Sequence, residues 1–203
     1  MSARSQTFYL IRHAESAMSG RYCGSTDAAL SRKGRLQAAR IAGRLADIPL
    51  KTSCFSDLKR AKQTASYFHA GKKLELIPSK QLREIHFGKW EGNDYASVAS
   101  RWPALYSRWI ESPMTVRIPS GETFAHFAAR VADFSAGLKR LDRGHVAITG
   151  HGGSLAVLHM ILLRRPFDEF WKWVPPVASI SVLKKKKSRF ELVRLHDTSH
   201  LAS

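Results

Sequence analysis

The stretch TFYLIRHAES, Thr7–Ser16, begins as an unbroken apolar run and ends with an arginine and a histidine side by side. An apolar run without polar alternation is typical of a strand buried on both faces, so we expect a central strand of a sheet to end at Arg12. His13 follows where that strand stops. Because ligands of open α/β sheets bind beyond the carboxyl ends of the strands, this pair is the first candidate for a functional site.

Two other segments of the chain end in a similar way. HVAIT, which starts at residue 145, is followed by GHGGS, which brings His151 and then the start of an apolar helix, LAVLHMILL. TSCFS, which starts at residue 52, is a short strand candidate that leads into the helix LKRAKQTASYFHA, whose first turn holds Arg60. If these strands are parallel neighbours of the first one, His13, His151 and Arg60 converge on one crevice.

Strands and helices alternate along the chain, which predicts an α/β fold of three layers, with a mostly parallel central sheet flanked by helices. Ser31 is a suitable N-cap for a helix that runs to about Ile48. Apolar residues at helical spacing predict a long amphipathic helix that contains Phe124, Phe127, Ala128, Val131, Phe134, Leu138 and Leu141. The strand candidates ASISVL and FELVRL close the pattern.

No linker or internal repeat divides the sequence, so we expect its 203 residues to form a single domain, 1–203. The middle of the chain, residues 82–121, is rich in turn residues and contains the tryptophans Trp90, Trp102 and Trp109. We interpret this segment as a lid-like insertion that lies over the site.

The charge balance favours an anionic partner. Lysine and arginine number 33 against 16 aspartates and glutamates, a formal net charge of +17, which attracts phosphorylated metabolites, nucleic acid or acidic surfaces without choosing among them. The densest basic run, KKKKSR at Lys184–Arg189, is interpreted as a solvated turn between two strands rather than as an anion site.

The cysteines and the hydropathy pattern bear on the compartment. Cys23 and Cys54 are too few for a disulfide framework and predict free thiols in a reducing environment. The sequence shows no signal peptide and no stretch long enough for a membrane helix. We therefore expect a soluble, cytoplasmic protein without a membrane partner.

The side chains predicted to meet at the strand ends suit one kind of ligand. Two imidazoles and two guanidiniums around one crevice would repel each other if no anion lay between them. Phosphate is the natural candidate, because the planar guanidinium of Arg12 or Arg60 matches two phosphate oxygens at once. The glycines of HGGS also let backbone N–H groups at a helix N-terminus approach such a group.

The sequence resembles the histidine phosphatase superfamily, in the branch of the phosphoglycerate mutases and small bacterial phosphatases. Four motifs carry the resemblance, in this order along the chain: LIRHAES, SDLKRAKQTA, LREIHFGKWEG and GHGG. The resemblance covers nearly the whole chain and implies a phosphoglycerate mutase-like fold. It implies that the catalytic residues are Arg12, His13, Arg60, Glu84 and His151. It further implies that the substrate phosphate is bound by Arg12, Arg60, His151, Gly152 and Ser19. No cofactor and no metal are implied.

The chemistry of that family would give each catalytic side chain a task. His13 would attack phosphorus and become a phosphohistidine, which water then hydrolyses. Arg12, Arg60 and His151 would neutralise the charge of the transferred group in place of a metal. Glu84 would protonate the leaving alcohol as a general acid.

The resemblance is less specific about the substrate. Mutases of the family are generally longer, so this short chain favours a phosphatase. RYCGSTDAALSRKG, together with LREIHFGKWEG and IPSGETFAHFAARV, resembles most the α-ribazole phosphatase group of cobalamin biosynthesis, which acts on α-ribazole 5′-phosphate. Broad-specificity and sugar-phosphate phosphatases are the alternatives, and a phosphoglycerate mutase is less favoured. Ser19 replaces a frequent asparagine and Cys23 a polar residue of some members, so their contact with substrate stays open.

Two non-enzymatic alternatives are kept. The charge would also suit a basic nucleic-acid-binding protein, although nucleic acid is disfavoured as a partner because no recognisable module of that class is present. An inactive homologue that binds phosphoesters without turnover is the other alternative. The physiological substrate and the oligomeric state are not determined by the sequence.

Overall fold

The computed structural model describes residues 6–138, 141 and 144–202. The strands are β1 (Gln6–Arg12), β2 (Leu50–Ser56), β3 (Glu75–Ser79), β4 (His145–Gly150), β5 (Ile180–Lys186) and β6 (Arg189–Asp197). The helices are α1 (Arg32–Arg44), α2 (Lys59–His69), α3 (Tyr95–Arg101), α4 (Pro103–Glu111), α5 (Phe124–Gly137), α6 (Gly152–Leu163) and α7 (Phe170–Trp173). Within these described ranges, no helix is long and apolar enough to span a bilayer.

One six-stranded sheet organises the molecule, with the strand order β3-β2-β4-β1-β5-β6. The first four strands in that order run parallel, whereas β5 pairs with β1 and β6 in antiparallel fashion. The predicted central position of the first strand and the mostly parallel sheet are therefore confirmed. The register pairs Arg12 with Gly150, so that β1 and β4 end level with each other.

Helices cover both faces of the sheet, which confirms the three layers. Along β1, Phe8 and Leu10 face the larger apolar core, which they share with α5 and α6. Tyr9 and Ile11 point the other way, into the core formed with α1 and α2. Such alternation follows from the two-residue period of a strand, and it explains why β1 needs apolar residues on both faces. α6 is buried almost all round, which is why its sequence shows no polar face.

Two helix ends differ from the prediction. Ser31 caps α1 as expected, because its Oγ accepts a hydrogen bond from Gly34 N at 2.9 Å. The helix ends at Arg44 rather than near Ile48, and residues 45–48 form turns. Pro49 disfavours helical backbone at Ile48 itself. Similarly, α5 ends at Gly137, so Leu141 packs against the core from beyond the helix.

One strand and one turn also differ from the prediction. The sequence pattern did not indicate β3, which contains Pro78 and lies at the edge of the sheet, where a missing backbone N–H is tolerated. The basic run is partly strand, because β5 continues to Lys186 and β6 begins at Arg189. Only residues 187–188 form the turn between them. Both cysteines are free, as predicted.

Residues 82–121 form short helices and turns around an aromatic cluster. Trp90 is completely buried there, and Trp109 packs against it at 5.9 Å between ring centroids. Trp102 lies 6.5 Å from Trp90 by the same measure. These tryptophans therefore hold the segment to the core above the carboxyl ends of the strands.

Candidate active site

The parallel pairing of β1 and β4 brings two histidines together. His13 follows β1 directly and His151 follows β4, and their ring centroids lie 5.0 Å apart. The backbone N–H of His13 donates to the carbonyl of Gly150 at 2.9 Å, which carries the strand pairing one residue past the sheet. Residues far apart in the sequence thus face each other, as the strand pattern predicts.

The tautomer of His13 follows from its neighbour. Its Nδ1 lies 2.7 Å from the carbonyl oxygen of Ala14. Because a carbonyl can only accept, Nδ1 carries the proton and Nε2 keeps its lone pair. Burial, followed by the charges of Arg60 and Arg12, lowers the pKa of His13 well below its ordinary value of 6.5. His13 is therefore a neutral imidazole with an unprotonated Nε2, the state that a nucleophile requires.

Arg60 is completely buried and tightly held. Its Nη1 donates to the carbonyl of Thr26 at 2.7 Å, and its Nη2 donates to the carbonyls of Gly24 and Cys23 at 2.7 and 3.1 Å. Its Nε donates to Nδ1 of His151 at 3.1 Å. The first turn of α2 therefore presents a guanidinium whose direction is fixed by hydrogen bonds on both sides.

His151 is completely buried, and both of its ring nitrogens are engaged. Because Arg60 can only donate to Nδ1, the proton is on Nε2, which lies 2.8 Å from Ser56 Oγ at the end of β2. Burial, followed by Arg60 and His13, lowers the pKa of His151 well below 6.5. His151 is not among the described residues that line the cavity. Its ring therefore lies behind His13 and Arg60.

Arg12 reaches the same place from the end of β1. Its Nη1 donates to the carbonyl of Pro175 at 2.6 Å. A side chain on Gly152 would place its Cβ 3.2 Å from Arg12 Cζ, so a glycine at the start of α6 leaves room for the guanidinium. Burial lowers the pKa of Arg12, and the nearby carboxylate of Glu84 opposes that effect.

Glu84 is held by the N-terminus of α6. Its Oε2 accepts from Gly153 N at 2.8 Å, and its Oε1 accepts from Ile85 N at 3.0 Å. A Cβ on Gly153 would come within 2.5 Å of Oε1, so only glycine allows this contact. The backbone of Glu84 is held as well, because Arg130 Nη2 on α5 donates to its carbonyl at 2.9 Å.

A cavity of about 460 Å³ opens at this edge of the sheet. The predicted site residues in its wall are Arg12, His13, Ser19, Arg60, Glu84 and Gly152. Cys23 is also in the wall. Seven of the other wall residues carry aromatic rings, and we name them the aromatic wall: Tyr22, Phe87, Tyr95, Tyr106, Trp109, Phe170 and Trp171. The structure therefore brings every predicted site residue to the cavity, with His151 directly behind it.

Several supporting residues were missed by the sequence reasoning. Ser56 contacts the ring of His151. Thr64 accepts a 3.0 Å hydrogen bond from the backbone N–H of Ala14, the residue after His13. Both lie inside the quoted motif SDLKRAKQTA, at a strand end and one helical turn after Arg60. Arg130 gave no signal of its own, because an arginine on a surface-facing helix position is common.

A neutral imidazole with a free nitrogen, a completely buried guanidinium, a second guanidinium in the cavity wall and a carboxyl group define this α/β protein as an enzyme of the phosphoryl-transfer class. The sequence model of the histidine phosphatase superfamily (branch 1) matches residues 8–198. The chain belongs to that superfamily.

Relatives and solved structures agree with this family. Phosphoserine phosphatase 1 of Hydrogenobacter thermophilus is 32% identical over 198 residues, covering 95% of this chain and 92% of the relative. The adenosylcobalamin/alpha-ribazole phosphatase of Salmonella typhimurium is 28% identical over 166 residues, covering 80% and 82%. The crystal structure of the alpha-ribazole phosphatase from Shigella flexneri superimposes with a TM-score of 0.84 at 27% identity, covering 95% and 96%. Together with the family match, these similarities support a phosphoric monoester hydrolase.

Proposed function

We propose that this protein is a metal-independent phosphomonoesterase that acts through a phosphohistidine on His13. The observation that carries the proposal is the state of this side chain. His13 is 8% exposed and neutral, and its Nδ1 proton is bound by a backbone carbonyl. His13 lines a cavity together with Arg12 and Arg60, and its Nε2 is the ring nitrogen left free to attack.

The reaction divides into two displacements. In the first, the phosphoryl group lies against Arg12 and Arg60, and Nε2 of His13 attacks phosphorus in line while the bond to the ester oxygen breaks. Glu84 gives its proton to the leaving oxygen, so that a neutral alcohol departs. In the second, a water molecule attacks the phosphohistidine and Glu84 takes up the proton of that water. Free phosphate leaves, and His13 is again neutral.

His151 would act as a third cationic partner, beside Arg12 and Arg60, only when phosphate is present. In the empty site it is neutral, and its Nδ1 accepts a bond from Arg60. A dianion close to this pair favours the protonated imidazole, because opposite charges stabilise each other strongly in a buried site. Phosphate binding would therefore favour a proton on Nδ1 of His151, which would then no longer accept the bond from Arg60. Its positive charge would stabilise the dianion from behind His13 and Arg60.

The aromatic wall favours substrates whose alcohol carries a flat ring. Among the described wall residues outside the phosphate site, the ionic side chains are Glu15 and Arg21, and both already have partners. Glu15 pairs with Lys33 at 3.4 Å, and Arg21 donates to the carbonyl of Gly92 at 2.8 Å. The ammonium and carboxylate of phosphoserine would find few free charges there. α-Ribazole 5′-phosphate, with its benzimidazole base, suits this wall better, and a broad-specificity phosphatase or sugar-phosphate phosphatase is the alternative.

Residues 82–121 would serve as a lid-like insertion within a single domain, 1–203. The segment supplies Glu84 to the phosphate site and Phe87, Tyr95, Tyr106 and Trp109 to the aromatic wall. Because the proton donor and most of the rings come from one segment, a change in its position would alter acid catalysis and substrate selection together.

The test of the proposed function is to trap the intermediate. Rapid quenching with a 32P-labelled substrate should yield a phosphoprotein that is labile in acid and stable in base, as a phosphohistidine is. The variant His13→Ala should yield no label and no hydrolysis of p-nitrophenyl phosphate. EDTA should leave the rate unchanged. An absence of label and of hydrolysis in the wild type, with salt-dependent retention of DNA, would instead support a nucleic-acid-binding protein.

Kinetics on a panel of esters tests the substrate proposal separately. The panel comprises α-ribazole 5′-phosphate, O-phosphoserine, 3-phosphoglycerate and sugar phosphates. A preference of about a hundredfold in kcat/KM, equivalent to about 2.7 kcal/mol of differential transition-state binding, would assign the substrate. Equal values across the panel would favour the broad-specificity alternative.

A further inference from the structure

The loop of residues 23–26 lies between the charged side chains of Arg60 and Glu91 and separates them. On one side, the carbonyls of Cys23, Gly24 and Thr26 accept hydrogen bonds from the guanidinium of Arg60. On the other side, backbone N–H groups of the same loop donate to the carboxylate of Glu91. Glu91 belongs to the segment 82–121, whereas Arg60 belongs to α2. The loop therefore connects the insertion to the phosphate site.

The Glu91 carboxylate is unusually well supplied with donors. It accepts from Gly24 N and Ser25 N at 3.1 and 2.9 Å, from Thr26 N at 3.2 Å and from Phe87 N at 3.0 Å. The hydroxyls of Ser25 and Thr26 donate to it as well. These bonds lower the pKa of Glu91, although its burial alone would raise it. The side chain is an anion that is half-buried in a shell of donors.

Two peptide units join the anion to the cation directly. In the unit between residues 23 and 24, the N–H donates to Glu91 and the C=O accepts from Arg60. The unit between residues 24 and 25 is oriented in the same way. A trans peptide points its N–H and C=O in opposite directions and carries a dipole of about 3.5 D, so both dipoles are aligned along the line from carboxylate to guanidinium.

The positive charge of Arg60 is stabilised by this loop rather than by a carboxylate in contact with it. Among the residues that the structure describes, no carboxylate oxygen forms an ion pair with its guanidinium. A buried cation without a direct anionic partner must be stabilised by polar groups around it. The carbonyls of the loop supply that stabilisation, and Glu91 fixes their direction.

The loop also packs closely against the segment 82–121 at Gly24. A Cβ on Gly24 would come within 2.6 Å of Glu91 Oε1 and 2.0 Å of the Ile85 carbonyl oxygen. Glycine is therefore required for the loop to reach Glu91 while its carbonyls face Arg60. The same contact places the loop against Ile85, the residue after Glu84.

We infer that Glu91 is a positioning residue for phosphate binding, which acts through the two peptide units on Arg60. Its carboxylate holds the loop so that Arg60 stays aligned toward the cavity when a dianion enters. The inference rests on the proposed function only where turnover is measured, because the alignment of Arg60 affects anion binding even in the absence of catalysis.

The experiment is a comparison of tungstate affinity, measured by isothermal titration calorimetry. Glu91→Gln keeps the shape of the side chain but replaces one acceptor oxygen with a donor that faces the loop N–H groups. We expect this variant to bind tungstate at least about tenfold more weakly than the wild type, with kcat/KM reduced in parallel. Asp197→Asn is the matched control, because Asp197 accepts comparable bonds from Arg194 and Ser199 N in another part of the fold. It should leave tungstate affinity within about twofold of the wild type.

A double-mutant cycle tests whether Glu91 affects tungstate binding through Arg60. In an Arg60→Lys background, Glu91→Gln should weaken tungstate binding by much less than in the wild type, because the loop then no longer aligns a guanidinium. If Glu91→Gln does not fold, Glu91→Asp, whose carboxylate is withdrawn by one methylene, should show an intermediate loss of affinity.

Three outcomes would overturn the inference: wild-type affinity in a folded Glu91→Gln, wild-type affinity in Glu91→Asp, or penalties that add fully in the cycle. A wild type that binds tungstate but hydrolyses no ester would contradict the proposed function alone.

Discussion

The two halves of the cavity are built in opposite ways. At the phosphate end, Arg60 and His151 are completely buried and His13 is 8% exposed, and hydrogen bonds fix all three side chains. In the aromatic wall, three of the seven rings are buried as well, but Tyr95 and Trp171 are 51% and 42% exposed and contact mainly other rings. The difference indicates that the sheet fixes the nucleophile and the phosphate-binding side chains, whereas the insertion and α7 provide a more exposed surface for the alcohol part of the substrate.

Removal of the nucleophile should give the largest effect and tests the rigid half directly. We expect His13→Ala to lower kcat by at least about 10⁴-fold, because no other group can take up the phosphoryl group. p-Nitrophenyl phosphate hydrolysis measures the loss, and thermal unfolding checks that the variant is folded. A folded variant that keeps a tenth of the wild-type rate would mean that another residue is the nucleophile.

Glu84→Gln should have the next largest effect, and the effect should depend on the leaving group. For alkyl phosphates we expect a loss of about 10²- to 10⁴-fold in kcat, because an alkoxide leaves poorly without a proton. p-Nitrophenolate leaves without protonation, so that ester should lose far less. Equal losses on both esters would contradict a general-acid role and would point to electrostatic positioning instead.

The pH dependence of anion binding should report proton uptake by a buried imidazole. In the empty protein the pKa values of His13 and His151 lie well below 6.5, so both rings are neutral near pH 7. A bound dianion raises the pKa of His151, so the complex holds up to one proton more than the empty protein. Affinity for sulfate, whose charge is constant in this range, should rise by up to about tenfold per unit as the pH falls from about 7.5 to about 5.5.

The variant His151→Gln separates the contributions to that slope. If His151 takes up the proton, sulfate affinity in the variant should become nearly independent of pH over the same range. A slope that survives the substitution would assign the proton uptake to another group in the cavity. Competitive inhibition of p-nitrophenyl phosphate hydrolysis gives the affinity in both proteins.

The rigid half is also the half that the sequence allows one to predict. Arg12, His13 and His151 lie at the ends of apolar strands, and strand pairing alone brings such ends together. Arg60 follows a third strand by one helical turn. These positions depend on local pattern and on the regular geometry of a parallel sheet, so they can be derived without knowledge of any loop.

The contacts between loops could not be derived in this way. Glu91 meets Gly24 across 67 residues of sequence, and neither residue lies in a periodic element that would reveal the contact. The engagement of both His151 nitrogens depends on the rotamers of Arg60 and Ser56. The wall residue Trp171 belongs to a four-residue helix, α7, whose position is set by packing rather than by its own sequence pattern.

The smallest effect should come from the aromatic wall, and it should change selectivity rather than rate. Trp171 is half-exposed and contacts Trp109 at 5.9 Å between ring centroids, so its removal leaves the phosphate end intact. Because one aromatic contact contributes about 0.5–1.5 kcal/mol, Trp171→Ala should lower kcat/KM for naphthyl phosphate about 2- to 10-fold. For methyl phosphate, kcat/KM should not change. Tyr67→Ala, which removes a half-exposed ring elsewhere, should alter neither value. Equal losses on both esters would mean that Trp171 supports the phosphate end, and the division between a rigid and a permissive half would then fail.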